Sequence, residues 1–141
     1  MAFILIHAAK PEESRVLLVG ESFVTTRRVP FKNGKRGDVL KTIDALLASK
    51  KVSIKSLSGV VVISGPGHFS CLRGGISIAN TLGFALGIPV VGVEAVEVSD
   101  KELIEKSAAL LKKKKKFTPV VPMYGKEPNI TISKFQSPNS K

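Results

Sequence analysis

The stretch from Leu57 to Val93 constrains the fold more than any other part of this sequence. It opens with an apolar, β-branched run at Leu57–Ser64, passes through a glycine-rich turn into a small-residue helix predicted at 70–86, and closes with a second apolar run at Val90–Val93. Runs that are apolar on both faces are typical of strands buried inside an α/β sheet. The order strand, turn, helix, strand predicts a βαβ unit with a right-handed crossover and two parallel strands.

The flanking segments predict the other elements of the same domain. Apolar runs near the N-terminus predict a meander of adjacent strands, at 3–7, 15–20 and 21–31. Asp38 is suited to cap a helix over 38–49, and Ser99–Glu102 has the capping-box pattern that starts a last helix. An extended segment is expected at 120–124. We therefore predict an α/β fold with a mixed sheet of about five strands.

Composition favours one domain inside a reducing compartment. The 141 residues and the 43% hydrophobic fraction suit a single core. Cys71 is the only cysteine, so no intrachain disulfide can form. Residues 74–93 carry no charge, but their glycines and polar residues fit a buried helix and strand better than a membrane span. The N-terminus has no signal-peptide pattern, so we expect a cytoplasmic protein without a membrane segment.

Two motifs follow one another in the second half of the chain. The first reads Gly-Pro-Gly-His-Phe-Ser-Cys-Leu-Arg-Gly-Gly at 65–75, with Ile-Pro-Val-Val-Gly-Val at 88–93, and the second reads Pro-Met-Tyr-Gly-Lys-Glu-Pro-Asn-Ile-Thr at 122–131. Both resemble signature stretches of the TsaB (YeaZ) family, a branch of the actin-like (ASKHA, ribonuclease H-like) fold class that is related to the catalytic subunit TsaD. The resemblance implies a reduced form with one lobe over 1–125 and a loosely held tail over 126–141.

Two departures from the family pattern bear on chemistry. The family's first strand usually ends in an acidic residue, whereas the comparable place here reads Ile6-His7-Ala8. Residues 94–118 leave room for one helix between the two motifs, not for the family's second lobe. We therefore expect no cofactor, metal site or catalytic residue in this chain, and ATP and a metal in its catalytic partner.

The resemblance implies the role of a partner subunit. Such a subunit would bind a TsaD-type enzyme and support threonylcarbamoylation of the tRNA adenosine beside the anticodon. A TsaE-type ATPase is a further implied partner, and a homodimer is an alternative assembly. The helices at 38–49 and 70–86 carry the contact in the family, which gives a predicted interface at Leu40, Ile43, Leu47, Arg73, Ser77, Thr81 and Phe84.

The glycine-rich turn allows a second interpretation. Glycines let a backbone approach a ligand, and the start of a helix attracts anions. A phosphate or nucleotide would then bind at Gly65, Pro66, Gly67, His68, Phe69, Ser70 and Arg73. The alternative is a tight strand-to-helix connection without a ligand, and this is the interpretation that we favour.

The net charge of +11 supports a different class of function. Basic residues are concentrated in two groups, one made of Arg27, Arg28, Lys32, Lys35 and Arg36 and the other of Lys112–Lys116. Either group could contact tRNA phosphates in a stand-alone nucleotide- or RNA-binding module, or be a solvated surface. A protease-like enzyme using His68 and Cys71 is the third alternative, and it lacks a convincing set of residues.

Overall fold

A computed structural model describes residues 2–94 and 98–122 of the chain. Its main sheet contains five strands, and a two-stranded hairpin and three α-helices complete the fold. The strands are β1 (Ala2–His7), β2 (Arg15–Val19), β3 (Val24–Arg28), β4 (Phe31–Lys32), β5 (Lys35–Arg36), β6 (Leu57–Gly65) and β7 (Val90–Glu94), and the helices are α1 (Val39–Ser49), α2 (Phe69–Leu86) and α3 (Asp100–Lys113).

The main sheet is mixed, as the sequence predicted. Its order is β3-β2-β1-β6-β7. The meander β1-β2-β3 is antiparallel, whereas β6 lies parallel to both β1 and β7. The predicted βαβ unit is therefore β6-α2-β7, and β6 occupies the interior position that its two apolar faces require. Ile4, Leu5, Leu17, Ile63 and Leu72 are all fully buried in the hydrophobic core.

The helices cover both faces of the sheet. Gly75 of α2 packs towards Ile6 and Val62, whereas Leu111 of α3 packs towards Gly59. Because side chains alternate along a strand, Val62 and Gly59 point to opposite faces, so α2 and α3 lie on opposite sides of the sheet. The chain passes from β3 through α1 to β6 and then from β6 through α2 to β7, so both connections run in the same direction across the sheet. Right-handed crossovers that run in one direction place their helices on the same face, so α1 and α2 lie on one side of the sheet.

The predicted caps are present at the helix starts. The Asp38 carboxylate accepts a hydrogen bond from the Lys41 N–H at 3.2 Å, and the Ser99 hydroxyl accepts one from the Glu102 N–H at 3.2 Å. At the other end of α2, Gly87 has a φ of 68°, the left-handed conformation that closes helices. These local signals set the element boundaries close to those predicted.

Two predicted segments need correction. The third strand is shorter than 21–31, and residues 31–36 form the β4-β5 hairpin rather than a plain loop. Asn33 and Gly34 have φ values of 52° and 73°, the conformation of a two-residue hairpin turn, and Asn-Gly is the pair that adopts it most readily. The extended segment expected at 120–124 is described only to Pro122 and is not a strand there, and the tail over 126–141 lies outside the described residues.

Candidate functional site

The glycine-rich turn packs directly against the end of β1. A Cβ atom on Gly67 would stand 2.8 Å from the Ala9 carbonyl oxygen, so only glycine fits without a backbone shift. The next residue, His68, donates its N–H to the same carbonyl at 2.8 Å. Gly65 has a φ of 131°, which L side chains rarely adopt, and a cis peptide bond joins it to Pro66. We call residues 65–68 the strand-end turn.

The predicted nucleotide loop consists of this turn and of Phe69, Ser70 and Arg73, which follow it in the chain. Pro66, His68, Ser70 and Arg73 are exposed, and Phe69 is the first residue of α2. His68 occupies the N-cap position, but its side chain makes no capping hydrogen bond. The internal contacts of the turn account for its glycines without a ligand, in line with the interpretation that we favoured. Nucleotide binding at these residues stays a prediction.

His7 is the last residue of β1, two residues before Ala9, which the strand-end turn contacts. Its imidazole is half-buried, and its Nδ1 atom has no hydrogen-bond partner among the described residues. Burial lowers the pKa of His7, and the charge of Arg15, its neighbour across β1 and β2, lowers the pKa further. Both effects disfavour the protonated form of the imidazole.

An ion pair on the same side of the sheet links β2 to α3. The Arg15 guanidinium donates two hydrogen bonds, each 2.8 Å long, to the Asp100 carboxylate. This bidentate contact holds the pKa of Asp100 below its usual value. Within residues 2–94 and 98–122, no group of three His, Cys, Asp or Glu side chains is arranged to hold a metal ion.

The outward face of α2 carries an exposed row of side chains. Arg73, Ser77, Thr81 and Phe84 are all exposed, and their spacing of four, four and three residues places them on one helix face. Phe84 is 77% exposed, an unusual position for a large aromatic side chain. We call these four residues the outer stripe. They are four of the seven residues that the sequence predicted for an interface.

The segment after α3 lies along one side of the outer stripe. Asn80 donates its side-chain amide to the Val120 carbonyl at 3.1 Å, and its carbonyl oxygen accepts the Val120 N–H at 2.9 Å. The Phe117 ring meets Phe84 edge to face with centroids 6.0 Å apart. A shallow groove of about 360 Å³ results, lined by Arg73, Ile76, Ser77, Asn80, Thr81, Val120 and Pro122. Sequence reasoning missed Asn80, whose only signal is an amide on an otherwise small-residue helix.

The α1 part of the predicted interface needs correction. Leu40 is 49% exposed, but Ile43 and Leu47 are only 1% and 4% exposed. Both buried residues belong to the hydrophobic core, because α1 turns that side towards β2 and β3. They support the helix from within, and Leu40 is the only one of the three that a partner could contact directly.

Cys71 and His68 do not form an accessible pair. Cys71 is 5% exposed and packs inside the fold, whereas His68 is exposed in the strand-end turn. A buried thiol is screened from a substrate, and reactive cysteines are partly exposed. The protease-like interpretation gains no support from this arrangement.

The central part of the chain matches a known protein family. The family model described as TsaD: tRNA N6-adenosine threonylcarbamoyltransferase matches residues 36–122, more than half of the chain. The chain belongs to the TsaD family. The match runs from the end of the β4-β5 hairpin to the segment beside the outer stripe, so the strand-end turn and the outer stripe both lie inside the matched region.

Curated relatives and a solved structure agree with this placement. A tRNA N6-adenosine threonylcarbamoyltransferase from Geotalea uraniireducens is 38% identical over 55 residues, covering 39% of this chain and 16% of that protein. TsaB from Buchnera aphidicola is 33% identical over 60 residues, covering 43% of this chain and 29% of that protein. YeaZ from Pseudomonas aeruginosa superposes with a TM-score of 0.62 at 20% identity, over 76% of this chain and 49% of that chain.

These comparisons confirm two of the predictions. The resemblance to TsaB is confirmed, and so is the actin-like α/β fold. The chain spans about half of the solved YeaZ and less than a third of these curated relatives. Among the described helices, none is both long and apolar enough to cross a membrane.

Proposed function

We propose that this chain is a non-catalytic partner subunit that binds a TsaD-type enzyme in threonylcarbamoylation of tRNA adenosine. The observation that carries the proposal is the outer stripe. Arg73, Ser77, Thr81 and Phe84 share one exposed face of α2, within the region matched by the family model. An exposed aromatic beside small polar residues suits the packing of a second helix, because small side chains allow close approach and aromatics are frequent interface anchors.

In the proposed complex, the reaction takes place on the TsaD-type subunit. The first strand ends in a half-buried histidine whose pKa is lowered, and the nearby Asp100 carboxylate is already paired with Arg15. The strand-end turn is packed against Ala9. ATP and a metal would therefore bind to the TsaD-type subunit, and a TsaE-type ATPase would join the same complex.

Leu40 extends the proposed contact surface to α1. It is 49% exposed, and it lies beside a groove of about 460 Å³ that is also lined by Asp38, Lys41, Ile43, Asp44 and Ile54. Both helices lie on the same side of the sheet, so a partner could cover them together. A homodimer would use this same face, and partner binding would then compete with self-association.

The first test is co-purification with the TsaD-type protein from the same source, with the mass of the complex read by light scattering. We expect a stable mixed complex, and at least about tenfold weaker binding after Ser77→Trp, because a bulky ring in the centre of a packed interface cannot be accommodated. Ala109→Trp is the matched control, since Ala109 is an exposed residue on α3 at the opposite face.

The outcomes separate the alternatives. Loss of the complex with Ser77→Trp but not with Ala109→Trp supports the outer stripe. Equal binding by all three proteins would overturn this interface, and a chain that pairs only with itself would favour the homodimer. A chain that stays alone at high concentration would contradict the partner-subunit proposal.

A further inference from the structure

One stretch of the chain combines a high positive charge with a complete lack of acidic residues. Residues 22–37 contain Arg27, Arg28, Lys32, Lys35 and Arg36 and no aspartate or glutamate. The chain as a whole has 11 acidic residues, so this local absence gives the stretch a formal charge of +5 out of a total of +11. A dense single-sign patch attracts a polyanion.

The fold displays this charge at one edge of the sheet. The stretch forms β3, which is the outermost strand, and the β4-β5 hairpin that follows it. Arg27, Lys32 and Lys35 are exposed, and none of them forms an ion pair within the described part of the chain. Arg28 differs, because its guanidinium donates to the Glu12 carbonyl at 3.1 Å. Three cations are thus available to an external partner.

An exposed aromatic side chain lies on the other face of the same hairpin. Lys32 pairs with Lys35 across the hairpin, and side-chain alternation turns Phe31 to the face opposite this pair. Phe31 begins β4, directly before Lys32, and is 42% exposed. Single-stranded nucleic acids are bound by basic surfaces that also offer aromatic rings on which bases stack. An acidic protein or an anionic membrane would bind the cations but would gain less from one isolated ring.

The second basic group is less available. Lys114 donates its ammonium group to the carbonyl oxygens of Val90 and Thr118, and burial lowers its pKa. Lys112 and Lys113 belong to the last turn of α3, where they complement the helix dipole. Part of this lysine run therefore has a structural role, which leaves the β3 edge and the hairpin as the stronger site.

We propose that the β3 edge and the β4-β5 hairpin form an RNA-binding surface. Arg27, Lys32 and Lys35 contact backbone phosphates, and Phe31 stacks on an unpaired base of the same strand where it passes round to the other face of the hairpin. This surface is distinct from the outer stripe and goes beyond the proposed contact with a TsaD-type subunit. The chain would then contribute directly to holding a substrate RNA, in addition to contacting an enzyme.

The test uses the full chain alone and an unmodified tRNA transcript, with binding followed by fluorescence anisotropy over a salt series. The double variant Lys32→Gln, Lys35→Gln should bind about tenfold more weakly at low salt, and the slope of log affinity against log salt should fall by about 2, since each lysine–phosphate contact contributes about 1. Phe31→Ala should weaken binding about tenfold without changing the slope, because base stacking is not ionic.

The matched control is Lys112→Gln, Lys113→Gln, which removes the same charge from exposed positions on α3. We expect it to change affinity less than threefold, a limit set by the loss of non-specific attraction alone. Thermal unfolding of each variant shows whether the fold is retained; the Asn33-Gly34 turn is left intact in all of them.

Three results would overturn the proposal. The first is an equal loss of RNA affinity in the hairpin variant and the control variant. The second is a poly-glutamate peptide or an anionic vesicle that binds the chain as tightly as the transcript does. The third is an RNA affinity that does not change with salt. None of these depends on the TsaD-type subunit, so the RNA surface and the partner contact can be accepted or rejected separately.

Discussion

The strand-end turn that precedes α2 and the outer stripe along α2 differ in what their residues contact. In the strand-end turn, the backbone lies against the fold, with Gly67 close to Ala9 and the His68 N–H bonded to the Ala9 carbonyl, while Pro66 and His68 are exposed. Along its length, the outer stripe leaves Ser77, Thr81 and Phe84 exposed. The glycine motif allows a ligand loop, but contact with the Ala9 backbone is enough to require glycine at position 67. The stripe has no motif, and within the described residues no comparable backbone packing explains its exposed side chains.

The sharpest way to break this comparison is Gly67→Ala. The added methyl group would meet the Ala9 carbonyl oxygen at 2.8 Å, and a backbone atom cannot move aside as a side chain can. We expect a loss of about 2–3 kcal/mol in the free energy of unfolding, the upper range for overpacking a tight contact. Urea denaturation followed by circular dichroism measures it.

Gly75→Ala is the matched control within α2. A Cβ there would lie 3.4 Å from the Ala8 Cβ, an ordinary contact, and alanine favours the helix by up to about 1 kcal/mol over glycine. The control should be neutral or stabilising. If Gly67→Ala were equally well tolerated, the turn would be open rather than packed, and a ligand site there would become the better interpretation.

The sequence predicted the parts of the fold that depend on local chemistry. The strand β6 follows from its apolar residues, the start of α1 from Asp38, and the start of α3 from Ser99. The family motif placed the strand-end turn correctly between β6 and α2. In each case the signal lies within a few residues of its effect, so a reading along the chain can find it.

The candidate site was less predictable because it depends on distant contacts. The family resemblance put Leu40, Ile43 and Leu47 at one interface but could not tell which of them the sheet would cover. The bonds between Asn80 and Val120 join residues forty positions apart, and nothing near either residue indicates the other. Such pairings follow from topology, which fixes where the segment after α3 runs.

A smaller effect is expected where that segment meets the outer stripe. Asn80→Ala removes both hydrogen bonds to Val120 and should lower the free energy of unfolding by about 1–2 kcal/mol, since part of the lost bonding is replaced by water. Hydrogen exchange at the Val120 amide should accelerate more than exchange in the core strands. Thr81→Ala, one residue further on an exposed position, is the control and should leave both measurements nearly unchanged.

This variant also sharpens the comparison between the two regions. If Asn80→Ala weakens binding of the TsaD-type partner while the core stays folded, the segment at 117–122 helps to shape the outer stripe. Unchanged hydrogen exchange at Val120 would show that the two hydrogen bonds to Asn80 do not hold the segment in place and that other contacts do.

The smallest effect concerns His7, beside the strand-end turn. Burial and the Arg15 charge lower the pKa of His7 below 6.5, its ordinary value, so the unfolded chain binds a proton at a higher pH than the folded chain does. The free energy of unfolding should therefore be highest above pH 6.5 and fall as the pH drops below it. The Asp100 contribution lies in a lower window, because its pKa is lowered from 3.8 and its stabilisation is lost only as the pH falls through that reduced value.

Unfolding curves between pH 7.5 and 5 isolate the histidine, because Asp100 stays ionised over this range. The loss of stability on acidification should be smaller in His7→Gln than in the parent chain. Parallel curves for the parent and His7→Gln would mean that the imidazole is solvated. The strand ends would then be open to water and to ligands, and the contrast between a packed turn and an accessible stripe would no longer hold.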